Sequence, residues 1–287
     1  MALVAVAGSP GAPGSTTTAL ALMSTWPLQA GRRVIMAECD PDGGAAVAGT
    51  LGGRTPGGYG MRQLAVAART SQLSEAFWRQ LIDLSESDAQ DRLLLPGLTE
   101  PAQASSLQYA WAPLADLFVG IEQITPSHDV IVDLGRHGGT GSSAPLVRRA
   151  DSVLVVVRST LRGIHLAEPR IRALAEDLEA SGTGRDALRI VLVRSGIYTA
   201  AEVSQRLHVP VLAELPDDQR SAAVLSDGED GGRRFARGDL MRHAGSAADR
   251  VLAHIASRRQ RLLPPSETVP SPAAAGAPHQ EWASNAR

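Results

Sequence analysis

Residues 8–18 read Gly-Ser-Pro-Gly-Ala-Pro-Gly-Ser-Thr-Thr-Thr and follow directly on the apolar run at residues 3–7. A loop of small residues between a strand and a helix leaves backbone N–H groups uncovered and aims a helix N-terminus at whatever lies before it. Such a loop is an anion cradle, and Thr16 or Thr17 can offer a hydroxyl to Mg²⁺. At residues 34–44 an apolar run ends in acid-x-acid-Pro, with Glu38 and Asp40 at one strand end. Residues 128–135 form another apolar run, ending at Asp133. Carboxylates at strand ends facing a phosphate loop are the groups that hold a metal-bound water and orient a nucleophile. A rival chemistry is open. Gly8, Gly11 and Gly14 approximate a dinucleotide fingerprint, and Glu38 lies roughly 20 residues on, where an acid grips a ribose. That reading is an NAD(P)-binding oxidoreductase. It accounts for Glu38 alone, whereas a phosphate site accounts for the whole acid-x-acid-Pro.

Strands and helices alternate around these residues. Buried strands are predicted at 3–7, 33–38, 93–95, 130–133, 152–157, 188–193 and 209–215. Helices are predicted at 16–26, 102–124, 163–178 and 199–207. Pro113 is expected to kink or split the second of these, and Pro169 to delay or kink the third. Residues 52–60, rich in Gly and Pro, read as a loop. The alternation specifies an α/β fold, doubly wound, with a mainly parallel sheet and helices on both faces. Residues 1–263 form the domain. Residues 264–287, mostly Pro, Ala and Ser, form a disordered tail.

Bulk properties agree. The chain has 287 residues, 44% hydrophobic but 3% aromatic, so its core is built of Ala, Val, Leu and Ile, as suits strands covered on both faces. With one cysteine, Cys39, no intramolecular disulfide forms, and a reducing, cytoplasmic setting is expected. The N-terminus has no basic region before its short apolar run, so no secretory signal is expected, and no apolar stretch is long enough to span a membrane. A formal charge of −2 gives no overall bias toward nucleic acid. All 28 basic residues are arginine. No lysine reaches any site, from this chain or from an identical partner.

The loop resembles the deviant Walker A of the MinD/ParA family of P-loop ATPases, Lys-Gly-Gly-x-Gly-Lys-Thr-Thr. Gly11, Gly14, Thr16 and Thr17 agree, Ala12 replaces a glycine, Pro13 fills the variable position, and Pro10 and Ser15 stand at the two lysines. In the family one lysine contacts the β- and γ-phosphates, and the other reaches across a dimer to the partner's nucleotide. Residues 34–44 are similar to the family's Val-Leu-Leu-Ile-Asp-Leu-Asp-Pro-Gln-Gly-Asn. This implies that Asp40 positions water and metal, with Glu38 in place of the first carboxylate. Residues 128–135 resemble a Walker B, which makes Asp133 a Mg²⁺ residue beside Thr16. Residues 209–228 resemble the segment whose proline and neighbours pack on adenine, here Pro216 and Asp217. Arg194 replaces the asparagine that reads the base.

The resemblance covers residues 1 to about 230 and implies ATP and Mg²⁺ as ligands, bound weakly or not at all. It implies a pseudo-ATPase that acts as spatial organiser or regulatory partner. It also implies a protein partner in pilus assembly, secretion or partitioning, and a homodimer. The TadZ/CpaE pilus-positioning group has similarly damaged loops. An active ATPase using Arg136, Arg158 or Arg162 to neutralise charge is the alternative. Residues 250–263 carry arginines along an apolar face. They are read as a last helix packed on the domain rather than a membrane anchor, with any membrane or polar recruitment coming through a partner. Arg233, Arg234 and Arg237 are read as a solvated cluster, without specific nucleic-acid binding.

Overall fold

The computed structural model describes residues 2–10, 14–29, 31–44, 46, 49–53, 59–70, 72–85, 89–121 and 125–262. The expected tail and part of the Gly/Pro loop lie outside these residues. Apolar runs become the strands β1 (Leu3–Ala7), β2 (Arg33–Glu38), β3 (Ile82–Asp83), β4 (Arg92–Leu95), β5 (His128–Asp133), β6 (Ser152–Arg158), β7 (Leu188–Arg194) and β8 (Val211–Pro216). They form one sheet in the order β3-β4-β2-β5-β1-β6-β7-β8. Every neighbouring pair is parallel except β3 with β4. The predicted doubly wound, mainly parallel sheet is what is observed.

Helices cover both faces because side chains alternate along each strand. Leu3, Ala5 and Ala7 point to one face, and Val4 and Val6 to the other. The first face packs on α2 (Met61–Ala67), α3 (Leu73–Arg79), α4 (Trp111–Gly120), α5 (Ala144–Arg148), α6 (Leu161–Ser181) and α7 (Ala200–Leu207). The second packs on α1 (Ser15–Thr25), α8 (Gln219–Ser226) and α9 (Asp239–Leu262).

Several boundaries differ from the sequence expectation. The predicted helix at 102–124 is a 3-10 segment, Pro101–Leu107, followed by α4. The break precedes Pro113, which sits in the first turn of α4, where a missing N–H leaves no intrahelical bond unmade. The helix α6 starts ahead of the predicted position and carries Pro169 in its interior. Its start is fixed by Thr160, whose side chain caps the Gly163 amide. The two-turn helices α2 and α3 and the two-residue strand β3 are too short to leave a readable period.

The opposite edge of the sheet is locked by one buried carboxylate. Asp129, 1% exposed, accepts from the Ala2 amide at 2.6 Å, the Trp26 indole at 2.9 Å and the Arg32 guanidinium at 2.6 Å. It ties the start of β1, the end of α1 and the turn into β2 to β5. The last helix is locked similarly. Arg258, 3% exposed, donates to the carbonyls of Asp151 and Thr183 and to Asp186, while Arg259 pairs with Asp151. The arginines of residues 250–263 that anchor this helix therefore face the domain. Among the described residues no helix is long and apolar enough to cross a membrane.

Two predictions follow from these locks. Asp129→Ala strands three donors, one of them charged, and should cost about 3 kcal/mol or more in urea denaturation. A loss under about 1 kcal/mol would show that water replaces the carboxylate. His254 is pushed down to about 4 by burial and by the neighbouring Arg189 and Arg258. Its folded value lies below its unfolded value of 6.5, so the unfolded chain takes up the proton first, and stability drops as pH falls from 6.5 to about 4. Removing the histidine removes that loss. Thermal melts of His254→Gln and wild type should therefore shift in the variant's favour on going from neutral pH to about pH 5.

Candidate functional site

Three strand ends leave the sheet at one point. In the central register Val6 of β1 and Glu38 of β2 both pair with Asp133 of β5. Backbone bonds continue past the strands: Leu134 N–H to Val6 at 2.8 Å, Gly8 N–H to Gly135 at 2.8 Å and Cys39 N–H to Asp133 at 2.7 Å. The loops after β1, β2 and β5 thus meet on the carboxyl edge of the sheet, where open α/β sheets place ligands. Asp40 and Asp133 lie on the edge that carries the Gly-rich loop, as the sequence predicts.

The loop runs into α1 through Gly14, whose φ of 128° suits glycine alone. Gly14 caps α1 without a side chain, and no acid stands in the first turn. The amide groups of that turn therefore carry the positive end of the helix with no side-chain cap, which is what an anion needs. Ser15 is buried, and Thr16 and Thr17 are half-buried in this turn. The Ser15 hydroxyl lies 3.3 Å from where a Cβ on Gly8 would sit. Gly11, Ala12 and Pro13, also expected in the cradle, lie outside the described residues.

The acids differ in environment. Asp133 is buried; its Oδ1 accepts from the Gly135 amide at 3.0 Å, and its Oδ2 has no hydrogen-bond partner of normal geometry. Its carboxyl is pushed up to about 7, first by burial and also by the charges of Glu38 and Asp40, against the nearby Thr16 hydroxyl and the Gly135 amide, which oppose the rise. Asp40 is also raised, first by burial, against a hydrogen bond from the Asp42 amide and the charges of His137 and Arg136. Glu38 is engaged by the backbone: its oxygens accept from Ala46 N–H at 2.8 Å and Gly97 N–H at 3.0 Å. It fixes the loop that carries Asp40 against the end of β4. Gly97 and Gly44 make room for this, since a Cβ on Gly97 would fall 2.8 Å from the Gly44 Cα.

A buried, unpartnered carboxylate oxygen beside a threonine hydroxyl fits a divalent cation. Among the described residues no group of three or more His, Cys, Asp or Glu forms a cage on its own. Mg²⁺ typically takes one or two carboxylates and completes its shell with water and phosphate oxygens. Thr16, Asp40 and Asp133 fit that kind of partial donor set.

Beside α1 a cleft of about 180 Å³ is lined by Gly14, Thr17, Thr18, Arg158, Pro216 and Asp217, among others. Pro216 and Asp217, from the end of β8, therefore share a cavity with the first turn of α1. Arg194 is exposed and does not line it. Residues not flagged by the sequence also surround the site. His137 contacts Asp42, and Arg170 of α6 donates to the Gly138 carbonyl at 2.6 Å with its charge close to Asp40. Arg170 is 130 residues from Asp40 along the chain. No local pattern could have joined them.

Gly135 is the tightest point. At φ 56° a Cβ there would lie 1.8 Å from the Asp40 Oδ2. Gly135→Ala should cost about 1 kcal/mol for the backbone alone and more for displacing Asp40. Adding Asp40→Ala should recover the second part and leave the first. Denaturation of both single variants and the double variant checks this, and strict additivity would mean that the two positions do not touch.

No family model matches the chain, and no curated protein matches it in sequence. Solved structures do. A ParA family ATPase from Chlorobium tepidum TLS superposes with a TM-score of 0.64 at 14% identity, over 86% of this chain and 97% of that one. The MinD cell division protein of Aquifex aeolicus gives 0.60 at 17% identity, over 88% and 98%. The septum site-determining protein MinD of Pyrococcus horikoshii OT3, complexed with Mg-ADP, gives 0.61 at 15% identity, over 88% and 98%. With the strand order, the loop between β1 and α1 and the placement of Asp40 and Asp133, these likenesses establish that the chain has the MinD/ParA-type P-loop fold.

Proposed function

We propose that this chain is a MinD/ParA-like spatial organiser or regulatory partner that holds Mg²⁺-nucleotide weakly and hydrolyses it negligibly. One observation carries the reading: an α1 N-terminus without a side-chain cap, facing Asp40 and Asp133, in a chain with no lysine. The likeness to a MinD solved with Mg-ADP supports a nucleotide in this cleft.

In this reading the amides of Ser15, Thr16 and Thr17 bind phosphate, and Pro216 and Asp217 flank the nucleoside. Thr16, Asp40 and Asp133 would hold Mg²⁺, which when bound supplies charge neutralisation at the phosphates. Asp40 orients water, and Glu38 acts by keeping the Asp40 loop in place. Backbone amides contribute weak ground-state binding. They do not replace a flexible cation at the point where charge moves in the transition state. The context is a partitioning, secretion or pilus-assembly system, in the cytoplasm, with recruitment to membrane or pole through a protein partner. Residues 1–263 form the working unit. Self-association is independent of ATP, since Pro10 cannot reach across to a partner's nucleotide.

Calorimetry, a turnover assay and sedimentation test this together. The wild type should bind Mg²⁺-ATP weakly, show no turnover above background and keep one sedimentation coefficient with or without ATP. Ser15→Lys should tighten ATP binding about tenfold, the worth of one charge-assisted contact. Adding Pro10→Lys should bring back measurable hydrolysis. Turnover by the wild type at an ordinary enzyme rate, about 1 s⁻¹ or more, would rule out the pseudo-ATPase. A dimer formed only with ATP and Mg²⁺ would rule out nucleotide-independent association.

A further inference from the structure

The phosphate loop has lost its two lysines, but the sheet brings two arginines to its sides. Because β1 lies between β5 and β6, residues that follow those two strands flank the loop from left and right. Arg136 comes three residues after β5 and Arg158 ends β6.

The stem of Arg136 crosses Gly8. Its Cγ lies 3.4 Å from where a Cβ on Gly8 would be, beside the Ser15 hydroxyl at 3.3 Å from the same point. Arg136 thus passes next to the small residue that stands where a lysine is missing. Its exposed guanidinium also acts on Asp40. Arg158 is on the other side. Its Nε is buried without a hydrogen-bond partner, and its nearest carboxylate oxygen, on Asp217, is 3.5 Å away. A hydrogen bond to a carboxylate is normally shorter than 3 Å, so the pairing leaves donors of the guanidinium unused. Among the described residues Arg158 is the one cation lining the cleft with Gly14, Thr17 and Thr18. Arg162, the third arginine that the sequence offers, is exposed at the start of α6 and outside this lining.

We propose that Arg136 and Arg158 supply the phosphate-binding charge that Pro10 and Ser15 lack, and that they divide the ligand between them. Arg158, beside Thr17 and Pro216, contacts the nucleoside end and the first phosphate. Arg136, beside Ser15 and Asp40, contacts the distal phosphates. The ligand class is a nucleoside polyphosphate, so the inference rests on the nucleotide reading above. A guanidinium delivered from a neighbouring strand end does for the ground state what the loop's own ammonium would do. Its planar fork also suits phosphate oxygens.

The division makes a pattern that calorimetry can read. Titrations of AMP, ADP and ATP with Mg²⁺ are compared for wild type, Arg136→Gln, Arg158→Gln and Arg162→Gln, with melting curves confirming that each variant is folded. Arg158→Gln should weaken all three nucleotides by a similar factor of about tenfold. Arg136→Gln should weaken ADP and ATP but leave AMP unchanged, and Ser15→Lys in that background should recover ATP binding. Arg162→Gln should match wild type. If Arg158 serves only to neutralise Asp217, Asp217→Asn will rescue Arg158→Gln fully, which overturns its assignment. A wild type that binds nucleotides while Arg136→Gln and Arg158→Gln stay within about twofold of it overturns the arginine inference and leaves the nucleotide reading standing. Equal losses in all three arginine variants mean diffuse electrostatics and also overturn it. A wild type that binds none of the nucleotides overturns both. Should a glutamine variant melt early, Arg136→Met or Arg158→Met takes its place, with the same expected pattern and the same results overturning it.

Discussion

Three backbone hydrogen bonds beyond the strand ends hold the rest of the site in place: Leu134 to Val6, Gly8 to Gly135 and Cys39 to Asp133. They splice the loops after β1, β2 and β5 together before any side chain is considered. They require three strands to end at the same height, which the Val6–Asp133 and Glu38–Asp133 register ensures. A shift of one residue in β5 would turn Asp133 to the other face of the sheet and put an apolar neighbour in its place.

Carboxylates dominate the described site, and the structure tolerates them in different ways. Glu38 accepts from two amide donors. Asp133 is held among other acids and resists ionisation. Asp40 sits in the middle, half-buried over Gly135. In the proposed reading, a loop without lysine leaves these acids gathered around a phosphate position without counter-charge from the loop. A bound divalent cation and the neighbouring arginines would then supply the positive charge. This is why Arg136, Arg158 and Arg170 matter more here than their scattered positions in the chain suggest.

Glycines set how closely these parts approach. Gly44 and Gly97 let the Asp40 loop lie on the end of β4, and Gly135 lets the Asp40 carboxylate lie on the β5 loop. Each contact is a backbone approach that a methyl group would block. The loop after β5 also holds Gly139 and Gly141 at positive φ. A segment so built is shaped by its neighbours, Arg170 against Gly138 and Asp42 against His137 among them, rather than by its own preferences.

The sequence by itself determined the parallel strands and the gathering of Gly8, the first turn of α1, Glu38, Asp40 and Asp133 on one edge. Those follow from short-range signals: apolar runs, a Gly-rich turn, and acids at strand ends in a fold whose connections are restricted. The loss of both lysines was equally plain, being a matter of composition. It did not settle that Glu38 rather than Asp40 is tied down by two amides from outside its own turn, because that depends on Ala46 and Gly97 arriving at Glu38. Nor did it place α2, α3 or β3, each too short for periodicity to register. Arg136 and Arg158 could be named as spare cations, but only the order β5-β1-β6 puts them on either side of the phosphate loop. Which residues flank a site is decided by strand order and packing between distant segments, and neither is written in any local stretch of chain.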